Sequence, residues 1–257
     1  MTVVDRAGVE QRLRQARAQA FAPGEFVGQE SFVSAGEVLA LGRHASIRPG
    51  VRVLDLCCGE AGPGLHLTRE LGCTYRGVDA SPDAVARARR RAADEGLEAR
   101  FDLATVPPLP AGSFDVVLLL ETVLAFPDKP ALLQEVSSAL VTGGRFVCTL
   151  EEGLPLTTAE AEMMPASDTV WLTPLTRFRS DLLAAGLRVR WCMETSQAHR
   201  ATVDALVDAY TAAAPELRES GAGRAADDLI ASHRLWSRWL HEGRVRKFAV
   251  VAEKVLP

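Results

Sequence analysis

Two carboxylates, Asp55 and Asp79, stand 24 residues apart, and each lies at the end of a short apolar run that predicts a strand. Small residues fill the turn at 57–64 after Asp55, and they let the backbone approach a ligand closely. The helical pattern that follows offers unpaired N–H groups, which suit an anionic group such as a carboxylate. An acidic side chain after the second strand accepts hydrogen bonds from two ribose hydroxyls. This arrangement predicts a nucleotide-like ligand.

The kind of nucleotide depends on the turn itself. A dinucleotide-binding turn reads G-x-G-x-x-G directly after the strand, and here the first glycine position is Cys57. The sequence therefore disfavours an NAD-dependent dehydrogenase, which stays open as the alternative with a different cofactor.

Composition narrows the possible functions. The chain has 257 residues, 47% of them hydrophobic, which suffices for one core and an accessory subdomain. A net charge of −4 gives no basic surface for nucleic acid. We find no apolar run of about 18 residues for a membrane span and no apolar signal core in Met1–Ala20, so we expect a cytoplasmic protein. Five cysteines without C-x-x-C spacing indicate free thiols, and we expect no metal site.

Strand and helix patterns alternate along the chain, which predicts an α/β protein. Helices are expected at 9–20, 35–47 and 176–185. Further strands are predicted at 99–103, 113–121, 142–150, 187–192 and 247–254.

Four short motifs resemble those of the class I S-adenosylmethionine (SAM) methyltransferases. The first, V-L-D-L-C-C-G-E-A at 53–61, is similar to their V-L-D-x-G-C-G-x-G, with Cys57 and Ala61 replacing two glycines by small residues. G-V-D-A-S-P at 77–82, F-D-V-V at 114–117 and T-G-G at 142–144 resemble the later motifs. The resemblance implies a Rossmann-like, seven-stranded, mostly parallel sheet with helices on both faces. It also implies SAM as cofactor and S-adenosylhomocysteine as product.

The resemblance also assigns cofactor contacts to positions of this sequence. The adenine is expected at a backbone contact near 103–104, because Asp102 falls one residue early for the family's acid. The expected cofactor-binding residues are Val33, Ser34, Asp55, Cys57, Gly59, Asp79, Ala80, Leu103, Ala104 and Leu120.

The layout outside the core resembles that of the phosphobase and sarcosine methyltransferases. In them, helices precede the first motif, and a helical lid lies between the last two strands. The domains implied are an N-terminal helical cover at 1–50, a SAM-binding core at 51–195, a helical lid at 196–244 and a last core strand at 245–257. Phosphobase enzymes carry a histidine after strand four, where this chain has Ala125, so phosphoethanolamine is a doubtful substrate.

Substrate and catalytic residues are less well defined by the sequence. Carboxylates at strand ends can hold a substrate amine or take a proton, and a neutral histidine is the usual base. The same residues can equally be solvated strand ends, packing aromatics or surface histidines. The substrate candidates are Phe26, Gln29, Glu121, Glu152, Trp171 and Trp236, and the weak catalytic candidates are His199, His233 and Glu151.

The resemblance implies methyl transfer to a nucleophilic N, O or C atom of a small-molecule metabolite, driven mainly by proximity and orientation. Two alternatives stay open: a SAM-binding enzyme of this fold that catalyses another reaction, such as a cyclisation, and a non-catalytic SAM-binding module. The sequence leaves the oligomeric state undefined.

Overall fold

A computed structural model describes residues 6–165 and 169–255, and this part of the chain contains a seven-stranded sheet. The strands are β1 Arg52–Leu56, β2 Thr74–Asp79, β3 Ala99–Leu103, β4 Phe114–Leu119, β5 Leu140–Glu152, β6 Leu187–Glu194 and β7 Arg246–Lys254. Their order is β3-β2-β1-β4-β5-β7-β6, and β7 alone runs antiparallel to its neighbours. The order in which successive strands are added therefore changes direction between β1 and β4. Doubly wound sheets bind ligands at this switch point.

Nine α-helices accompany the sheet in the described residues. They are α1 Arg6–Gln19, α2 Ala35–His44, α3 Gly62–Leu71, α4 Pro82–Asp94, α5 Lys129–Ala139, α6 Thr158–Met163, α7 Leu175–Ala184, α8 Ser196–Glu219 and α9 Gly223–His241. A short 3-10 turn covers Val123–Ala125. None of these helices combines the length and the apolar character that crossing a membrane requires.

Each face of the sheet is buried under helices. One apolar cluster contains Leu54, Leu56 and Phe146 of the strands and includes residues of α5 and α7. The other contains Val53 and Val147 and includes residues of α2, α3 and α4. Because both faces are covered, the central strands read as continuous apolar runs, and these runs made them recognisable in the sequence.

The predicted fold class is confirmed, and the differences lie at element ends. The second helix was expected to reach Ile47 but ends at His44, and strand six continues to Glu194. A further helix, α6, follows β5, where the sequence analysis predicts no element. That helix begins with a capping box, in which Thr157 and Glu160 bond each other's backbone N–H groups.

The lid lies between β6 and β7, at the predicted place. Its helices α8 and α9 pack along each other, and α1 packs on α8. An apolar group that includes Ala16, Leu206 and Tyr210 joins α1 to the lid. The predicted domain bounds of the cover and of the last strand include residues 1–5 and 256–257, which lie outside the described residues.

Gly64 allows α3 to pack against β2, and we expect Gly64→Ala to destabilise the fold. A Cβ at Gly64 would lie 2.2 Å from the ring of Tyr75, which is fully buried. Overpacking of this kind costs about 2 kcal/mol of unfolding free energy. Urea unfolding measures the change, and Gly36→Ala is the control, because that Cβ would meet only a Glu25 carboxylate at 3.3 Å. Equal stability of the two variants would contradict the packing argument.

Candidate cofactor and acceptor site

The turn after β1 has the backbone shape that its small residues permit. Cys57, Gly59 and Ala61 all adopt positive φ angles, of 55°, 56° and 59°. Gly62 follows at the start of α3, and a Cβ there would lie 2.4 Å from the carbonyl oxygen of Val27. The turn is thus curved tightly beneath the N-terminal cover, and larger side chains would push the two apart.

Asp79 ends β2 beside this turn, as the sequence predicted. Its Oδ2 accepts the N–H of Gly59 at 2.8 Å, and its Oδ1 accepts the N–H of Ser81 at 2.8 Å. Each carboxylate oxygen retains a second lone pair, so the side chain can still accept two ribose hydroxyls. Ala80, the other cofactor residue predicted here, lies between Asp79 and Ser81 in the chain.

Asp55 ends up deeper than Asp79. It is 4% exposed, and its Oδ2 accepts the hydroxyl of Tyr75 at 2.6 Å. Burial raises the pKa of Asp55 to about 7, although the Tyr75 hydrogen bond opposes the shift. The carboxyl therefore carries a proton through much of the neutral range.

The predicted adenine edge is partly changed by the structure. The N–H of Ala104 donates to the Asp79 carbonyl at 3.0 Å, so it is already used within the sheet. Asp102 pairs with Arg76 at 2.5 Å. Leu103 is 54% exposed at the end of β3, and its side chain is the group available to an adenine ring.

The cover loop, which we define as residues 25–34, is held by its own buried side chains. Gln29, predicted to bind substrate, accepts the Val27 N–H at 2.7 Å and donates to the carbonyls of Glu25 and Val33, and its contact with a substrate stays a prediction. Phe26, also predicted there, packs against Phe21 with ring centroids 5.5 Å apart.

The end of the cover loop leads into α2. Val33 is 1% exposed and lies in the core cluster shared with α2 and α3. Ser34 caps α2, its hydroxyl accepting the Glu37 N–H at 3.2 Å. Both residues therefore have structural roles, and their predicted contact with the cofactor stays a prediction.

Arg17 of α1 fixes the rest of the cover loop. Its buried guanidinium donates to the carbonyls of Gln29, Glu30 and Ser31 and, at 3.1 Å, to the hydroxyl of Tyr210 in the lid. One side chain therefore joins α1, the cover loop and α8. The sequence analysis missed it, because nothing in an amphipathic helix marks which arginine is buried.

A cavity of about 200 Å³ lies between the turn and the cover loop. Its walls include Asp55, Cys57 and Gly59 from the turn side and Leu120 and Glu121 from the end of β4. The cavity therefore brings together four residues predicted for the cofactor and two predicted for the substrate, Gln29 and Glu121. This is the place where a cofactor's reactive end and an acceptor can meet.

Glu121 is held firmly in this wall. It has a positive φ of 61°, and its N–H donates to the Thr149 hydroxyl at 2.6 Å. Its Oε2 accepts the N–H of Phe32 from the cover loop at 3.2 Å, and its Oε1 accepts from the ammonium of Lys247. Non-glycine residues in this conformation are uncommon and concentrate at functional sites.

Lys247, near the start of β7, is the unexpected member of the site. It is fully buried, and its ammonium also donates to Glu151, the residue of β5 with which it is paired in the sheet. Glu37 of α2 interacts with the same ammonium. Burial raises the pKa of Glu37, and the positive charge of Lys247 opposes that rise. We call Lys247, Glu37, Glu121 and Glu151 the Lys247 cluster. A lysine at the start of the apolar strand K-F-A-V-V-A was the sequence signal that could have indicated a buried charge.

Two of the three catalytic candidates, Glu151 and His199, meet at this cluster. The third, His233, is separated from His199 by the ring of Phe32. His199 brings a ring nitrogen within 4.8 Å of carboxylate oxygens of both Glu121 and Glu151. That is the spacing of a metal-ligand set, but here Lys247 bonds both carboxylates and supplies the positive charge. His199 and His233 both pack edge-on against Phe32, with centroids 5.0 and 5.5 Å away. Burial lowers the pKa of His199 to about 3, so its imidazole is neutral.

The remaining substrate candidates are dispersed. Glu152 pairs with Arg246 at 2.9 Å and is absent from the wall of the cavity. Trp171 is 53% exposed and lines another cavity. Its N–H donates to the Leu124 carbonyl, and its carbonyl accepts from the Lys129 ammonium. Trp236 is buried against Trp239, in an apolar cluster that includes Phe32 and Leu124. Their contact with a substrate stays a prediction.

Comparison with known proteins agrees with this geometry. The family model described as a methyltransferase domain matches residues 47–200. The chain is 30% identical to the methyltransferase GfsG of Streptomyces halstedii, over 75% of this chain and 73% of that protein.

Among solved structures, phosphoethanolamine N-methyltransferase 2 of Haemonchus contortus, in complex with SAM, superposes with a TM-score of 0.78. The match has 18% identity and covers 97% of this chain and 57% of that one. The [4+2]-cyclase SpnF superposes with a TM-score of 0.75 at 18% identity, covering 97% and 94%. At such identities, the superpositions show the fold alone.

The chain belongs to the methyltransferase domain family, and it is an enzyme of the class I SAM-dependent type. SAM is its cofactor, and the residues present fit it. Asp79 keeps lone pairs for ribose hydroxyls, the turn of small residues leaves room for the methionine part, and Leu103 offers an apolar face to adenine.

We expect Arg17→Met to loosen the cover. The change leaves three carbonyls and the Tyr210 hydroxyl without their donor, at a cost of ~3 kcal/mol of unfolding free energy. Hydrogen exchange of amides 29–33 should accelerate strongly, and SAM affinity should fall. Arg12→Met is the matched control on an exposed position of α1. Unchanged exchange in Arg17→Met would show that the cover loop is held by other contacts.

We expect Asp55→Asn to stabilise the cofactor-free protein in a pH-dependent way. The folded-state pKa of about 7 exceeds the usual 3.8, so the unfolded chain ionises first and stability falls as pH rises from about 4 to 7. The asparagine, which can still accept the Tyr75 hydroxyl, avoids this loss. Urea unfolding should show the variant gaining up to ~4 kcal/mol over wild type at pH 8 and little at pH 4.5. A gain independent of pH would contradict a buried, protonated Asp55.

Proposed function

We propose that the protein transfers the SAM methyl group to a nucleophilic N, O or C atom of a small-molecule metabolite. The observation that carries this proposal is the cavity in which Asp55, Cys57 and Gly59 of the cofactor turn face Glu121 at the end of β4. The cover loop closes the cavity, since Gly28 and Ser31 also line it. A chamber of about 200 Å³ suits a small acceptor group rather than a polymer.

In this proposal, the protein contributes mainly placement. Bound SAM supplies an activated methyl group, so the reaction is an in-line displacement by the acceptor. Asp79 holds the ribose, Leu103 contacts the adenine, and the turn after β1 accommodates the methionine part. Orientation of this kind can supply several kcal/mol of the barrier without a strong base.

The lid favours an acceptor with an apolar body. Phe32 of the cover loop packs in one cluster with Leu124, Val203 of α8 and Trp236 of α9. Phe32 also donates its N–H to Glu121, so the apolar cluster adjoins the polar end of the chamber. An acceptor that places an apolar part against the lid and its nucleophile near Glu121 would match this wall.

Other features support a cytoplasmic enzyme. All five cysteines are free thiols, including the adjacent Cys57 and Cys58 of the cofactor turn. Thiols that remain unpaired suit a reducing compartment. The net charge of −4 supports a small-molecule partner rather than nucleic acid.

A cyclase of this fold is the second candidate, because the SpnF structure covers nearly the whole chain at a similar overall shape. Such an enzyme would bind SAM without consuming it. Release of S-adenosylhomocysteine during turnover distinguishes the two reactions, and a non-catalytic module would show neither product.

We expect Asp79→Ala to weaken SAM binding about a hundredfold, because the ribose loses two charge-assisted hydrogen bonds worth ~3 kcal/mol together. Isothermal titration with SAM, S-adenosylhomocysteine and NAD measures the affinities. Asp83→Ala is the matched control, because that carboxylate is exposed in the first turn of α4.

The outcomes of this titration separate the alternatives. Tight binding of SAM that Asp79→Ala loses and Asp83→Ala keeps supports the assigned site. Binding of NAD instead, or wild-type affinity in Asp79→Ala, would overturn it. Circular dichroism of each variant establishes that the fold is intact.

A further inference from the structure

The Lys247 cluster holds more carboxylates than positive charges. Glu37, Glu121 and Glu151 surround one ammonium, so full ionisation would leave a net charge of −2 in a buried site. Isolated charges of that kind are too costly to bury, and the usual response is to bind a proton. The cluster is therefore expected to hold at least one carboxyl proton near neutral pH.

Individual atoms point to Glu151 as a site of that proton. Glu151 is 3% exposed, and its Oε2 is buried with no hydrogen-bond partner among the described residues. Burial raises the pKa of Glu151 to about 7, and burial also raises the pKa of Glu37. Burial has the opposite effect on the ammonium and lowers the pKa of Lys247. A buried carboxyl whose pKa is raised toward neutrality, such as that of Glu151, responds to a new charge placed beside it.

The cluster reaches the cofactor cavity through Glu121. Glu121 lines the cavity together with Cys57 and Gly59, and its side chain is 8% exposed. The cofactor is a sulfonium cation before the transfer, and the product S-adenosylhomocysteine is a neutral thioether at the same atom. One elementary charge at this end of the cavity therefore appears when SAM binds and disappears when the methyl group leaves.

We propose that the Lys247 cluster senses this charge: it releases a proton when SAM binds and takes up the acceptor's proton when the methyl group is transferred. The proposal rests on the proposed function, since it requires SAM in the cavity beside Glu121. In the transfer, the acceptor's lone pair forms the new bond to the methyl carbon, and the carbon–sulfur bond breaks with its electron pair left on sulfur. The acceptor then gives its proton to the cluster, through Glu121, and the total charge balances.

Other titratable or charged groups around the cluster set its background charge. His199 of α8 lies against both carboxylates but is neutral, because its pKa is about 3. Lys129 of α5 favours the ionised form of Glu151 from the other side. The further titratable or charged groups around the cavity and Phe32 are Glu30, Glu60, Asp55, Asp79, Cys57, Cys58, Arg17 and His233. Apart from the sulfonium, SAM and S-adenosylhomocysteine present the same groups to these residues, so comparing the two ligands isolates the charge on sulfur.

Titration calorimetry tests the proposal without a known acceptor. SAM and S-adenosylhomocysteine are each titrated into the protein in buffers of different ionisation enthalpy, with EDTA throughout. The slope of the observed enthalpy against buffer enthalpy gives the protons released. For a group with a pKa near 7, we expect SAM to release up to about half a proton more than S-adenosylhomocysteine at pH 7. The difference should shrink at pH 5 and at pH 9, where the group is fully protonated or fully ionised in both states.

Three variants assign the proton to the protein. Glu151→Gln should remove most of the difference, whereas Glu152→Gln, the next residue of β5, should keep it because Glu152 pairs with Arg246. This comparison also excludes the cofactor's own amino group as the source. Glu121→Gln should lower the affinity for SAM about tenfold more than the affinity for S-adenosylhomocysteine. These substitutions are nearly isosteric, and circular dichroism verifies the fold.

The results that overturn the proposal are distinct from those that overturn the function. Equal proton release by both ligands in wild type would overturn charge sensing, and so would a difference that Glu151→Gln retains. Failure to bind either ligand would instead overturn the cofactor site itself.

Discussion

The ammonium of Lys247 is the contact that joins the separate parts of this site. Its strand, β7, returns from the lid and pairs with β5, so the side chain enters between Glu151 and Glu121. Glu121 in turn bonds the N–H of Phe32 in the cover loop. Core, cover and the strand that follows the lid therefore meet at one buried ion cluster. Burying such a cluster costs more than an apolar packing of equal volume, so stability alone does not account for it.

A second junction closes the site from the other side. Arg17 binds three carbonyls of the cover loop and the hydroxyl of Tyr210, and it also lies over the ring of Phe32. His199 and His233 of the two lid helices pack against the same ring. Phe32 therefore contacts both lid helices, and its N–H donates to Glu121 of the cavity wall. One residue thus connects the lid with the carboxylate that lines the chamber.

The sequence was informative where a local pattern has only one structural solution. Fully buried strands and a turn of small residues fixed the core, and Asp79 followed because a strand end must present its last side chain to the ligand edge. Glu121 was found for the same reason. Gln29 and Phe26 were assigned to substrate from the loop they occupy; their side chains bond or pack within the cover, and Gln29 also lines the cavity, so the substrate role of both stays a prediction. Lys247 and Arg17 were missed, because the burial of a charge depends on tertiary contacts: Glu121 lies 126 residues from Lys247, and Tyr210 lies 193 residues from Arg17.

The same distinction explains why the acceptor is harder to infer than the cofactor. The predicted cofactor contacts are a backbone turn and carboxylates at strand ends, and these follow from the order of strands and turns. The proposed acceptor chamber adjoins contacts between distant segments: Phe32 of the cover packs with Val203 and Trp236 of the lid, and its N–H donates to Glu121, which lines the cavity. Its polarity is set by how one ammonium divides its charge among three carboxyls, and that division depends on burial. A change in the lid packing can therefore alter both the shape of the chamber and the proton affinity of its wall.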